Sequence, residues 1–177
     1  LQETELLLER GHRVSLVCQA DSPLEERARP ISSSRFHLIP ISMKSALSPW
    51  VFLTLYRYVS KNNLDVIHTH SSVDSWLGGV VGKLSGIPVI RTRHVSLPVN
   101  DFFPNHLLSS YIPKRILTSG NMISDIVKQI RCVDSNSVVS VPAGVDLRRF
   151  NSGVSGKKIR DELKVNPDQP LIGKIGV

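Results

Sequence analysis

Cysteine is scarce in this chain. Its 177 residues hold two, Cys18 and Cys132, each among apolar neighbours and without C-x-x-C spacing. A disulfide framework is therefore not expected; two buried free thiols in a reducing compartment are, which points to the cytoplasm. Long apolar runs are missing as well. The strongest, around Trp50 to Val59, is broken by Thr54 and Arg57 and falls short of the roughly 20 residues that cross a bilayer. The first residues, LQETELLLERG, lack the charged start, apolar middle and small-residue cleavage site of a signal peptide. They also lack an initiator methionine, so the chain is expected to be truncated. None of G-x-G-x-x-G, G-x-x-x-x-G-K-[ST], G-x-S-x-G or H-E-x-x-H occurs, which removes the usual reasons to expect a nicotinamide, P-loop, serine-hydrolase or zincin site.

Acidic residues are the minority: 22 Lys and Arg against 15 Asp and Glu leave a net charge of +7. Such a balance attracts phosphates, whether of nucleic acid, anionic lipid or a phosphorylated ligand. Nucleic-acid binding would rest on that charge alone, and no nucleic-acid partner is expected. With 41% hydrophobic and 21% charged residues the chain is an ordinary globular one, and its length holds one full core and little more.

Along the chain, strand and helix patterns alternate. Leu6, Leu7 and Leu8 end a helix that Gly11 can cap, and RVSLVCQA (13–20) and FHLIPI (36–41) read as strands joined by a polar Pro- and Ser-rich loop. Ser48 and Pro49 open the next helix. LDVIHTH (64–70) is a strand, and Val73, Trp76, Leu77, Val80, Val81 and Leu84 mark one helical face behind it. Ser71 and Asp74 form a capping-box pattern, while Gly86 and Pro88 stop the helix. PVIRTRH is a strand. After a long loop RILTSG is another, followed by a helix through Ile123, Ile126, Val127 and Ile130 and by the strand and loop SVVSVPAGVD. From Asn151 a polar link leads to a short helix through Leu163 and a fresh apolar strand, PLIGKIGV. Alternation of this kind predicts an α/β fold, a Rossmann-like parallel sheet flanked by helices. Ligands of such sheets bind beyond the carboxyl ends of the strands, where His68, His70, His94, Ser119 and Gly144 all fall.

H-x-H on a strand puts both imidazoles on one face, about 7 Å apart. With His94 on the next strand a three-histidine zinc site is conceivable, Asp74 serving as general base; His68 reads equally as a core-facing histidine held by backbone. Ser71 either caps its helix or, with the free N–H groups there, meets an anion or sugar hydroxyl. Arg91 and Arg93 share one face of their strand, Thr92 and His94 the other, so the arginines are a solvated or ion-paired face or a phosphate contact. Pro142, Gly144 and Asp146 form a turn or a backbone-lined ligand contact in which Gly144 supplies conformational freedom.

Four blocks in register, LLLERGHRVSLVCQ, LDVIHTHSSVDSWLGGVVGKLSGIPVIRTRH, ILTSGNMISDIVKQ and VSVPAGVDLRRF, together resemble the N-terminal half of family 4 glycosyltransferases, retaining two-domain enzymes of GT-B fold. The resemblance implies sugar transfer from a nucleotide sugar to a saccharide or lipid-linked acceptor, in envelope polysaccharide or glycolipid synthesis, without a bound metal or other cofactor. It makes His94 the catalytic histidine facing the donor sugar. It places His70 and Ser71 on the acceptor side and Ser119 and Gly144 along the cleft floor, and His68, Arg93 and Asp146 are expected to bind substrate with them. Residues 1–150 would be an acceptor-side domain lacking its first strand, and 151–177 a linker and the first strand of a donor-binding domain, so the fold is expected to be truncated at both ends. The missing central strand would leave unpaired edges in the middle of the sheet, and residues 1–177 alone are expected to be inactive and poorly stable. Ala143 departs from the asparagine usual in the family. Relatives at the inner face of a membrane, the basic charge and the aromatic PWVFLTLYRY helix make peripheral attachment to an anionic surface a further expectation. The competing assignments are a GT-B-like sugar-nucleotide epimerase or phosphorylase, and a non-catalytic basic polyanion-binding module.

Overall fold

The computed structural model describes residues 1–43, 48–96, 103–142, 144–145, 147–148, 150–166 and 168–173. They fall into two compact units, Leu1–Pro142 and Ala143–Val177.

The first unit alternates helix and strand as its periodicities require. Helix α1 (Gln2–Glu9) closes in a Schellman motif: Gly11, at φ 89°, donates to the Leu8 carbonyl, and His12 to that of Leu7. Strand β1 (Val14–Gln19) follows, then α2 (Pro23–Ala28) and β2 (Phe36–Ile41). Helix α2 lies where the sequence reads as a loop. Ser22 accepts from the Glu25 amide as N-cap, Pro23 sits in the first turn, and Glu25 reaches back to the Asp21 amide at 2.7 Å and to Arg29. Six residues are too few to show a periodicity, but the S-P-x-E signature was present.

Helix α3 (Pro49–Lys61) is followed by β3 (Ile67–Thr69), α4 (Ser72–Leu84), β4 (Val89–Arg93), α5 (Phe103–His106), a π-helical turn (Leu107–Tyr111), β5 (Arg115–Thr118), α6 (Asn121–Lys128), a 3₁₀ turn (Ser135–Ser137) and β6 (Val138–Ser140). Part of the long loop expected before β5 is thus helical, with Leu108 buried. Every strand pairing is parallel, as the sequence predicts. Cys18 is buried, and burial pushes its thiol pKa up; Cys132 is exposed at φ 70°, contrary to the expectation of two buried thiols, because it lies in the turn after α6.

Two apolar clusters hold the unit. Val51, Leu55 and Val59 of α3 meet Leu77 and Val81 of α4, with Ile67, Val17 and Ile41 against them. Ile123, Val127 and Ile130 cover Ile116 and Val138. Helix α4 lies so close to the sheet that a Cβ on Gly82 would be 2.5 Å from Val89 Cγ2, and so close to the end of the π-helical turn that one on Gly79 would be 2.7 Å from Ile112 Cγ2. Its glycines therefore belong to the buried face, while Leu84, read as part of that face, is exposed.

The sheet is in two pieces, β1–β2 and β3–β4–β5–β6. Between the edges of β1 and β3, which pair with no further strand among the described residues, runs a cleft of about 810 Å³ lined by Val14, Leu16, Leu55, Tyr58, Ile67 and His68 among others. These are the unpaired central edges anticipated from the sequence.

The second unit carries α7 (Lys157–Leu163), none of whose residues is buried. Lys157 and Asp161 pair across one turn, and Arg160 ties down the carbonyls of Asn166 and Gln169. The strand read at PLIGKIGV is not formed over its described residues 170–173, and among the described residues of this unit no strand is present to pair with it; residues 174–177 lie outside the described residues.

Candidate functional site

The carboxyl ends of β3, β4 and β5 gather the predicted histidines. In the parallel register His68 stands opposite Ile90 and Thr69 opposite Arg91, so side chains alternate in step and His68, His70, Thr92 and His94 emerge on one face. His68 Nε2 lies 2.6 Å from Thr92 Oγ1, and its Nδ1 lies 2.9 Å from Glu3 Oε1 on α1. It is not held by backbone, the duller alternative; two side chains hold it. His70, just past the strand, has its Nδ1 3.4 Å from His94 Nε2 and its Nε2 3.6 Å from Glu3 Oε2. The rings of His68 and His70 are 4.2 Å apart between centroids, and His70 stacks on His94 at 5.7 Å.

What fixes His70 is the start of α4. Ser71 Oγ accepts from the Asp74 amide at 3.4 Å, while Asp74 Oδ1 accepts from the Ser71 amide at 2.6 Å and Oδ2 from the His70 amide at 2.9 Å. Both carboxylate oxygens of Asp74 are thus engaged by backbone, which leaves it a poor candidate for the general base envisaged beside a three-histidine metal. The groups that do converge are Glu3, His68 and His70, whose ligand atoms lie within 4.8 Å of one another. Ser71 caps the helix as its duller reading requires, yet its exposed position at the N-terminus keeps it at the mouth of the same site.

Burial pushes the His70 pKa below its ordinary 6.5, the neighbouring His68 adding to the shift against opposing contributions from Glu3 and Asp74. At neutral pH His70 is therefore an uncharged imidazole, able to donate to or accept from a hydroxyl. On the other face of β4, Arg91 donates to the Leu108 carbonyl at 2.9 Å and pins the π-helical turn. Burial lowers the pKa of both Arg91 and Arg93, which stay cationic. They are half-buried, not the solvated face considered from sequence. Ser119, at the end of β5, donates its amide to the Arg93 carbonyl at 3.4 Å, which places it beside the β4 terminus.

So His68, His70, Ser71, Arg93, His94 and Ser119 come together at one end of the sheet, with the Arg93 side chain on the face opposite His94. Gly144 belongs to the second unit. It is not among the glycines at positive φ, and a Cβ there would meet nothing within 4 Å, so the conformational freedom inferred from sequence is not what the site demands. Asp146 lies outside the described residues. Sequence reading missed Glu3, an exposed helical carboxylate like many others; Thr92 was legible only as a neighbour on the His94 face.

Comparison with known proteins places these features. The sequence profile of Glycosyltransferase Family 4 matches residues 2–149. A UDP-Gal:alpha-D-GlcNAc-diphosphoundecaprenol alpha-1,3-galactosyltransferase of Escherichia coli is 26% identical over 184 aligned residues, covering 92% of this chain and 45% of that protein. A D-inositol 3-phosphate glycosyltransferase of Actinosynnema mirum is 28% identical over 132, covering 63% and 30%. The chain spans less than half the length of these relatives. Among solved structures, a glycosyltransferase from Rickettsia africae superposes with a TM-score of 0.73 at 15% identity, over 94% of this chain and 45% of that one. Anabaena HepE in complex with UDP-glucose superposes with 0.59 at 13% identity, over 85% and 49%.

Proposed function

Since the chain belongs to glycosyltransferase family 4, we propose that it forms the acceptor-side part of a retaining enzyme that moves a sugar from a nucleotide sugar to a saccharide or lipid-linked acceptor. Envelope polysaccharide or glycolipid synthesis is the process this fits. The observation that carries the reading is the His70–His94 pair at the open end of β3 and β4, with the N-terminus of a 13-residue helix beside it.

A retaining transfer must stabilise an oxocarbenium-like sugar and a departing diphosphate. Preorganised dipoles and cations do that best where water is scarce. His94, stacked on His70, offers a fixed imidazole to a donor-sugar hydroxyl. Neutral His70, Ser71 and the unpaired amides of the α4 N-terminus offer donors to the acceptor, with His68 orienting the cluster from behind. Ser119 completes that side, with Arg93 on the opposite face of the same strand end; Gly144 and Asp146 are proposed as substrate-binding on the sequence alone. No metal or other cofactor is assigned to the transfer. The relatives' names, UDP-Gal donor with a lipid diphosphate acceptor in one and bound UDP-glucose in the other, support a UDP-sugar as the first donor to try.

The direct test is transfer of label from UDP-sugars by the intact protein that contains these residues. His94→Ala is expected to lower kcat by about 10²–10³, as loss of one preorganised donor does. Turnover unchanged in His94→Ala would overturn the assignment, and residues 1–177 alone are expected to transfer nothing. Peripheral attachment at the cytoplasmic face of a membrane is part of the same proposal. It is supported by the +7 charge and by Trp50, 76% exposed at the start of α3; among the described residues no helix is long and apolar enough to cross a bilayer. Co-sedimentation with phosphatidylglycerol vesicles, weakened in Trp50→Ala, checks it, and equal recovery with and without vesicles at low salt refutes it.

A further inference from the structure

We propose that Glu3, His68 and His70 form a binding site for a transition-metal cation of the zinc class, one that ties helix α1 to the end of β3 and shares His68 and His70 with the proposed acceptor side. Three observations carry it. The first is distance: Glu3 Oε1 to His68 Nδ1 is 2.9 Å and Glu3 Oε2 to His70 Nε2 is 3.6 Å. Bonds of about 2.0–2.1 Å to a tetrahedral Zn²⁺ place neighbouring ligand atoms about 3.3–3.4 Å apart, and one ligand atom from each of the three residues already lies within 4.8 Å of the others. The second is chemistry: two imidazoles and one carboxylate are a donor set borderline cations favour, and they leave a fourth position toward the cleft.

The third is the support behind each ligand. A ligating imidazole normally donates its other ring N–H to a fixed acceptor, which sets the tautomer and the ring plane. His68 does so through Nε2 to Thr92 Oγ1 at 2.6 Å, and His70 through Nδ1 toward His94 Nε2 at 3.4 Å. In that tautomer both inward-facing nitrogens present lone pairs to a cation held with Glu3. Without a cation His68 can turn its Nδ1–H to Glu3 Oε1 at 2.9 Å and accept from the Thr92 hydroxyl through Nε2, and metal binding moves that proton to Nε2. Protons compete with the cation for the ligating nitrogens, so binding weakens on acidification.

Titration of the 177-residue chain with Zn²⁺, and with Co²⁺ as a coloured reporter of tetrahedral geometry, tests the site. One ion per chain is expected, with a visible Co²⁺ spectrum of nitrogen and oxygen ligation. Outer-shell changes typically cost 10–100-fold in metal affinity. Thr92→Val is therefore expected to weaken binding by about that factor at unchanged stoichiometry, and Glu3→Gln or His68→Ala by more than about 100-fold. Circular dichroism confirms that each variant folds. Absence of binding at micromolar Zn²⁺, full affinity in Glu3→Gln, or a thiolate spectrum that vanishes in Cys132→Ser would each overturn the proposal. Because the readout is metal affinity, failure of the transferase assignment leaves this test intact.

Discussion

The Asp74 carboxylate is the most economical place to perturb this site, because it binds the backbone on which His70 is mounted. In Asp74→Ala two acceptors disappear at once, those of the Ser71 and His70 amides at 2.6 and 2.9 Å. Hydrogen bonds to charged groups contribute roughly 1.5–3 kcal/mol when sheltered; at this exposed helix end about 1 kcal/mol each is the better figure. A carboxylate in the first turn adds about 0.5 kcal/mol against the helix dipole. The expected loss is therefore about 2–2.5 kcal/mol, or roughly 5–8 °C in Tm for a chain of this size. Asp74→Asn keeps one acceptor and gives up the charge, so about half that loss is expected. Ser71→Ala removes only the 3.4 Å contact to the Asp74 amide and falls at the low end of N-cap losses, about 0.5 kcal/mol. Urea unfolding followed by circular dichroism gives all three values. The reasoning is refuted if Asp74→Asn costs as much as Asp74→Ala, or if Ser71→Ala costs more than either.

Gly82→Ala places a methyl 2.5 Å from Val89 Cγ2 and forces α4 off the sheet. Overpacking of about 1–3 kcal/mol, less the roughly 1 kcal/mol that alanine adds to helix stability, leaves a net loss of about 1–2 kcal/mol; a urea midpoint at or above wild type would contradict the packing described. The depressed pKa of His70 sets a pH dependence. As pH falls through its ordinary value of 6.5, the unfolded chain takes up a proton before the folded one, so stability declines below that point and is flat above it. Urea midpoints between about pH 5 and 8 are expected to show a shallower decline in His70→Asn than in wild type, and an unchanged slope would remove the burial argument.

Much of the fold was legible because its causes are local. The β3–α4–β4 block follows from a short apolar run, a capping box and a helical stripe ended by Gly86 and Pro88, each a pattern among neighbouring residues. The common face of His68 and His70 follows from strand alternation alone. Short elements escaped for the same reason inverted: α2 and α5, with six and four residues, have no period to read, and only the cap at Ser22 announced the first.

What the sequence by itself determined is which residues stand at strand ends, which face of each strand they share, and a basic balance suited to phosphates. Tertiary structure alone decided that Glu3, 65 positions before His68, would face it, that Thr92 would hold the same ring, and that Arg91 would brace the turn at Leu108. The difference is physical: helix and strand patterns repeat over a few residues, whereas a meeting between distant elements depends on how whole faces pack and what the long loops between them can close, and no short window of sequence contains that.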